Sequence, residues 1–424
     1  MVRLNEPEDK KSIGDRIDLL YRVTQTINSS LELDKVMETL MDEVISATKA
    51  ERGFLMVYED DKKLTFRTAR GIDRQTLEDS QFKISRSIVE RVGQEGIPLL
   101  TSNAQLDERL DKRASVRLYG LRSVLCVPIR LQNRILGVIY VDNRFQNGIF
   151  SQADLDLLTS ISSSAGIAIE NARLYQIAVE KGRMQRELQM AREVQISLIP
   201  EKTPIIPGWE FAACWKPANE VSGDFYDFIP LPSKKLGLVI ADVSDKGMPA
   251  ALFMALSRSI IRSVAGQNGF PSEDITKANR LICRDSGENM FITIFYMEID
   301  ANNHQITYVN AGHNPPLYVR KGKKTLQSFE KTGMAAGVDE SIKYGQVTVD
   351  FEPGDTLLMY TDGVVDALHD GNPYGVKKLK NAIMQYRNAR VSEMIHKLEA
   401  DVCDFSDSGT PFDDVTILAA RRIS

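Results

Sequence analysis

The sequence predicts an α+β protein of two globular units joined by a long helix, on three observations. Residues 53–71 and 123–143 hold paired apolar, β-branched runs separated by short polar turns, as antiparallel hairpins require. Residues 151–199 contain no proline, so one helix can run through them. Beyond Pro200, β-rich runs joined by Gly, Asn, Asp and Pro alternate with segments of helical spacing, the pattern of a layered sandwich.

Composition narrows the function classes. The 424 residues are 43% hydrophobic and 26% charged, enough to fill more than one core. A formal net charge of -5 leaves no general basic field, which disfavours nucleic acid as principal partner. Cys126, Cys214, Cys283 and Cys403 form no CxxC pair and read as core thiols of a reducing compartment. The charged N-terminal tail, residues 1–13, has no apolar core, and no run reaches the roughly 18 apolar residues of a membrane span. A cytoplasmic protein is expected.

Taken in order, Ile17, Leu20 and Ile27, then Leu33, Val36, Leu40, Val44 and Ile45 carry helical spacing, so two helices lead in. GFLMVYED (53–60) and LTFRTARG (64–71) make one hairpin, and the runs on either side of Gln132 and Asn133 make another. Ser151 begins a helix as its N-cap, with Asp154 in the first turn. The stretch SVLCVPIRLQNRILGVIYVDNRFQNGIFSQADLDLL resembles GAF domains, sensory modules built on an antiparallel sheet, and assigns residues 14–172 to one. The resemblance implies a ligand or partner at that sheet, of unknown identity. The pattern of cyclic-nucleotide-binding members is only partly met, by Asn143, Arg144, Phe150 and Asp154 followed by Leu155. Asn143 and Asp154 read as turn and cap residues, and Cys126 as strand packing.

Between residues 173 and 200 the positions Leu174, Ile177, Lys181, Met184, Leu188, Ala191, Gln195 and Leu198 are spaced three and four apart, as on a coiled-coil seam. A homodimer through this linker is expected, with Lys181 and Gln195 as polar seam residues that set register at a cost in stability.

The second unit, 201–424, repeats one local design four times. Asp224 lies in EVSGDFYDF, Asp242 in LVIADVSDKG, Asp362 in LLMYTDGVVDA and Asp414 in PFDDVTIL, each an acid in a turn beside an apolar strand. Carboxylates gathered this way repel and are costly to desolvate unless cations join them. Hard divalent ions are the natural partners, because Mg²⁺ and Mn²⁺ take oxygen ligands without His or Cys. With only four His in the chain, zinc is disfavoured.

These four segments, in this order, resemble the metal-dependent serine/threonine protein phosphatases (PPM family), in their bacterial SpoIIE-like branch. The resemblance implies an αββα sandwich and two Mn²⁺ or Mg²⁺ ions. Asp242 would bridge both ions, the Val243 carbonyl would be a further ligand, and Asp224, Asp362 and Asp414 would complete the set. The catalytic nucleophile would be water. It also implies a phosphorylated protein substrate, an anti-sigma-factor antagonist, with the GAF domain as input. Asp245 and Ser222 stand where many relatives have Gly. Asp227, Asp245 and Asp413 are candidates for supporting the ligands, with Asp366 close by; turn and cap roles are open for them too. For His313, in NAGHNPP, a structural role stands against a general acid.

Rival chemistries can be tested on the sequence. The residues six past the four cysteines are Gln132, Glu220, Asn289 and Gly409, so no Cys-x5-Arg phosphatase loop exists. No GxxxxGK[ST] loop is present either. A metal-dependent nucleotide cyclase would leave Asp362 and Asp414 without a role. A non-catalytic scaffold that binds a phosphoprotein would be signalled by missing acids, and all four are present.

Overall fold

The computed structural model describes residues 18, 20–26, 30–59, 63–71, 86–104, 107, 121–285, 290–300, 305–323, 325–406 and 413–424. The expected tail, residues 1–13, lies outside them, as do Ile17 and Ile27 of the leading helices. The chain divides into two compact units, Met1–Arg183 and Met184–Ser424. Among the described residues no helix is long and apolar enough to cross a membrane.

In the first unit, residues 20–26 are helical (α1) and α2 spans Leu33–Thr48. Five strands follow: β1 (Arg52–Tyr58), β2 (Leu64–Gly71), β3 (Leu99–Thr101), β4 (Ser123–Leu131) and β5 (Arg134–Asn143). They form one sheet in the order β2-β1-β5-β4-β3, antiparallel throughout. Side chains alternate between its faces. Leu125, Val127, Ile139 and Val141 pack with α2 and with Leu158 and Ile161, whereas Val124, Cys126, Val138 and Tyr140 pack with Ile88 and Val92 of α3 (Arg86–Glu95). Asn143 Oδ1 accepts the Phe145 and Gln146 backbone N–H groups. The Ser151 N–H and hydroxyl donate to Asp154 Oδ2, and the Asp154 N–H returns to Ser151 Oγ, a capping box. Both residues thus have the turn and cap roles that their types suggest.

The capped helix, α4, spans Gln152–Leu198, 47 residues. Leu174, Ile177 and Met184 stand 54%, 52% and 65% exposed, an apolar stripe open to solvent. Gln195 differs from the seam expectation: it is 4% exposed and hydrogen-bonded within its own unit. The reason is polar satisfaction, since a buried amide needs partners and the backbone of Ser222 and Ala251 supplies them.

The second unit stacks two five-stranded sheets between helix pairs. One sheet has the order β13-β10-β9-β8-β7, from β7 (Phe225–Pro230), β8 (Lys235–Val243), β9 (Ile292–Asp300), β10 (Gln305–Ala311) and β13 (Val347–Asp350). The other has the order β12-β11-β14-β17-β6, from β6 (Trp209–Lys216), β11 (Leu317–Val319), β12 (Leu326–Ser328), β14 (Thr356–Tyr360) and β17 (Val415–Arg422). A two-residue ladder pairs β15 (Leu368–His369) with β16 (Asn372–Pro373). Period-two alternation builds three cores from the two sheets. Phe295, Met297 and Ile299 of β9 meet Leu418 and Ala420 of β17 in an aromatic middle layer with Trp209, Phe211 and Phe228. Ile294 and Tyr296 face α5 (Met248–Val264) and α6 (Pro271–Asp285). Val415, Ile417 and Ala419 face α7 (Gly375–Tyr386) and α8 (Val391–Phe405). The result is the expected αββα arrangement.

Candidate metal centre and active site

Register brings the four acids to one edge. In the first sheet Phe225 pairs with Ala241, which sets Asp224 and Asp242 opposite one another at the end of β7 and β8. In the second sheet Tyr360 pairs with Ile417, so the Asp362 turn meets Asp413 and Asp414. Gly363 is required there, because a Cβ would come within 2.1 Å of the Asp414 carbonyl oxygen.

Hydrogen bonds then tie the two sheets together at this edge. Asp414 accepts from the Ala218 N–H at 2.8 Å, the Ser222 hydroxyl at 2.7 Å and the Gly223 N–H at 3.0 Å. Thr416 Oγ1 donates to Asp224 Oδ2 at 2.8 Å. Gly223 also lies against Val243, where a Cβ would stand 3.3 Å from the Val243 carbonyl oxygen.

Electrostatics report the convergence directly. Burial, then the charges of Asp242 and Asp414, hold the Asp224 carboxyl well above the usual carboxylate range. Burial, then Asp362, raises Asp242 to about 7, and a hydrogen bond to Asp224 opposes that rise. Burial, then Asp413, raises Asp362. Among the described residues neither Asp224 nor Asp242 forms an ion pair, and no three acidic, His or Cys side chains close around one point as they stand. The donor set nonetheless fits a hard divalent cation: it is all oxygen, it runs from buried Asp224 to half-buried Asp242, Asp362 and Asp414, and like charges oppose one another in it.

Other singled-out residues have their own partners. Asp227, 1% exposed, pairs with Arg258 at 3.0 Å and Arg262 at 2.8 Å on α5. Asp245 adopts φ 83, a left-handed conformation that glycine takes most easily, and its Oδ1 accepts the Lys246 N–H. Asp413 pairs with Lys246 and accepts the Asp414 N–H. Asp366 is exposed. His313 is 1% exposed, lies 2.8 Å from Thr293 Oγ1, and burial lowers its pKa to about 3. A neutral, buried imidazole suits the structural reading.

Sequence reasoning missed Thr416, Lys246 and the Arg258–Arg262 pair, and it read Gln195 as a seam residue where the structure has it bonded to Ser222 and Ala251. The two arginines are four apart on one helix face, a visible signal; no local pattern marks Gln195 or Thr416. In the first unit, a cleft of ≈ 1570 Å³ at the hairpin end of the sheet is lined by Tyr58, Phe66, Val89, Arg134 and Arg173.

Comparison with known proteins agrees with this architecture. Residues 32–169 match the GAF domain and residues 232–423 match stage II sporulation protein E (SpoIIE). The chain is 29% identical over 269 residues to the phosphoserine phosphatase RsbU of Bacillus subtilis, covering 63% of this chain and 79% of RsbU. It is 29% identical over 273 residues to protein IcfG of Synechocystis, covering 58% of this chain and 43% of IcfG. The SiaA-PP2C domain of Pseudomonas aeruginosa shares the fold, with a TM-score of 0.52 at 20% identity over 58% of this chain and all of that domain. The second unit is therefore a phosphatase domain of the metal-dependent protein serine/threonine class. More particularly, the chain is a GAF domain followed by a SpoIIE-type phosphatase domain.

Proposed function

We propose that this protein hydrolyses phosphoserine or phosphothreonine on a partner protein in the cytoplasm, with Asp224, Asp242, Asp362, Asp414 and the Val243 carbonyl holding two Mn²⁺ or Mg²⁺ ions. The reading rests on one observation: two acids from each sheet face one another across a hydrogen-bonded edge, where Asp224 and Asp242 are held above the usual carboxylate range and have no ion pair among the described residues. When bound, such ions acidify water and offset the charge of a phosphoryl group. The chain's own part is positioning. Ala218, Ser222 and Gly223 aim Asp414, and Thr416 aims Asp224.

The proposed substrate is an anti-sigma-factor antagonist, on the SpoIIE-like resemblance of the four motifs. Regulation would enter through the GAF domain and a dimer formed along the exposed stripe of α4. Gln195 supports coupling to the site: it donates to the Ser222 carbonyl at 2.8 Å and the Ala251 carbonyl at 3.3 Å, and accepts the Ser222 N–H. The end of α4 thus holds both the Asp224 turn and the start of α5.

The test is Mn²⁺-dependent hydrolysis of a phosphoserine peptide by the full chain and by Asp242→Asn. Turnover by the wild type and its loss in a folded variant is the expected result. An unchanged rate in Asp242→Asn would sink the site, and GTP turnover in place of phosphopeptide hydrolysis would point to the cyclase alternative.

A further inference from the structure

Trp215, next to last in β6, pairs in register with Thr416 of β17, so the two side chains stand on the same face of their sheet. Trp215 packs there against the aromatic middle layer. Its indole Nε1 donates across to the other sheet, to the Asp224 backbone carbonyl at 2.9 Å, while Thr416 Oγ1 donates to the Asp224 carboxylate Oδ2 at 2.8 Å. One registered pair therefore grips both ends of a single acid.

Donor counting gives this indole a task. Asp224 is 2% exposed, and a buried carbonyl left without a donor is costly. Among the described residues the other donor in reach is the Ser222 hydroxyl, 3.4 Å from that carbonyl but 2.7 Å from Asp414 Oδ2. Its one proton goes to the nearer, charged acceptor, and its oxygen accepts the Asp224 N–H at 3.0 Å. The carbonyl is thus left to Trp215. A bond to the carbonyl fixes the backbone and a bond to Oδ2 fixes the side-chain torsion, so the two together set where the remaining oxygen, Oδ1, points.

We propose that Trp215 is a positioning residue of the phosphatase site: with Thr416 it fixes Asp224 from the opposite sheet, so that the carboxylate is already aimed when a divalent ion arrives. The ordering of this acid is then completed in folding and does not weaken metal binding. The inference rests on the metal-site reading above, and it adds a residue that acts through Asp224 rather than on the reacting atoms.

The test uses the full-length protein, comparing wild type, Trp215→Phe, Thr416→Val and the double variant, with Mn²⁺ titrated by calorimetry and by turnover of a phosphoserine peptide. Losing one hydrogen bond to the ligand should weaken Mn²⁺ binding about tenfold in Trp215→Phe. Saturating Mn²⁺ should then restore kcat to within about threefold, with the peptide's KM unchanged. Because both residues hold one acid, their effects on Mn²⁺ affinity should be non-additive in the double variant. The Mn²⁺-induced rise in Tm should shrink in Trp215→Phe, whereas a merely structural role would lower Tm equally with and without the ion. A folded Trp215→Phe with wild-type Mn²⁺ affinity, an equal fall in Tm, or additive effects would each overturn this inference alone. The bond itself can be read in the wild type by NMR, whether or not the variant folds: the Trp215 indole proton should exchange with solvent at least about tenfold more slowly than a free indole, and more slowly still with Mg²⁺. A freely exchanging proton would also overturn the inference. A wild type that neither binds Mn²⁺ nor turns over the peptide would overturn the metal-site reading and this inference with it.

Discussion

Asp224 and Asp227 are three residues apart, on either side of the start of β7, and are 2% and 1% exposed. Their charges are handled in opposite ways. Asp227 receives two guanidinium groups from α5, with Arg262 Nη1 donating to both carboxylate oxygens at 2.8 Å. Asp224 receives a threonine hydroxyl and faces two more carboxylates. The buried Asp142 of the first unit follows the Asp227 pattern, paired with Arg52 at 2.6 Å. A structural acid is thus neutralised by the chain itself, whereas an acid destined for an external cation is left with like charges around it. The difference, more than burial or pKa alone, separates site from scaffold.

The largest effect that would test this contrast is in the rate. Asp224→Asn keeps an acceptor for Thr416 but removes a charge, and should cost roughly a thousandfold in Mn²⁺-dependent turnover. It should also lose the Mn²⁺-induced rise in Tm while keeping the metal-free Tm at or above that of wild type. A lower metal-free Tm would break the distinction between the two acids. Asp227→Ala should do the reverse. It strands Arg258 and Arg262, and should destabilise the fold by about 3 kcal/mol, near the low end for a broken buried pair because Arg262 is 43% exposed. Urea unfolding in EDTA measures this, and Mn²⁺ should not change the size of the loss.

His313 shows a third way of handling a buried ionisable group, namely neutrality, and its effect appears only as the pH falls. Its folded pKa, about 3, lies below the ordinary value of 6.5, so the unfolded chain takes up a proton that the fold refuses. Its stability contribution is complete above pH 6.5 and falls as pH drops toward 3, by up to about 1.4 kcal/mol per pH unit. In His313→Gln that part of the slope should vanish; an unchanged slope would mean that the imidazole is protonated in the fold.

Much of this was legible beforehand. The hairpins around Gln132–Asn133 and the capped start of α4 follow from local chemistry, and so they could be read residue by residue. The four acids were visible because each sits in a turn beside an apolar strand. Gln195 was not, since helical spacing alone makes it a seam position; its partners, Ser222 and Ala251, are 27 and 56 residues away. Asp227 was ambiguous for the same reason, as the arginines that claim it come from another element.

By itself the sequence determined the element types, the α+β class, the two-unit order and the identity of the acids, because propensity, periodicity and turn chemistry act over a few neighbouring residues. Only the tertiary structure decided which acids meet one another and which meet arginine. Strand register and sheet stacking bring together groups nearly two hundred residues apart, as Ser222 and Asp414 are, and whether a buried charge finds a cation depends on that assembly.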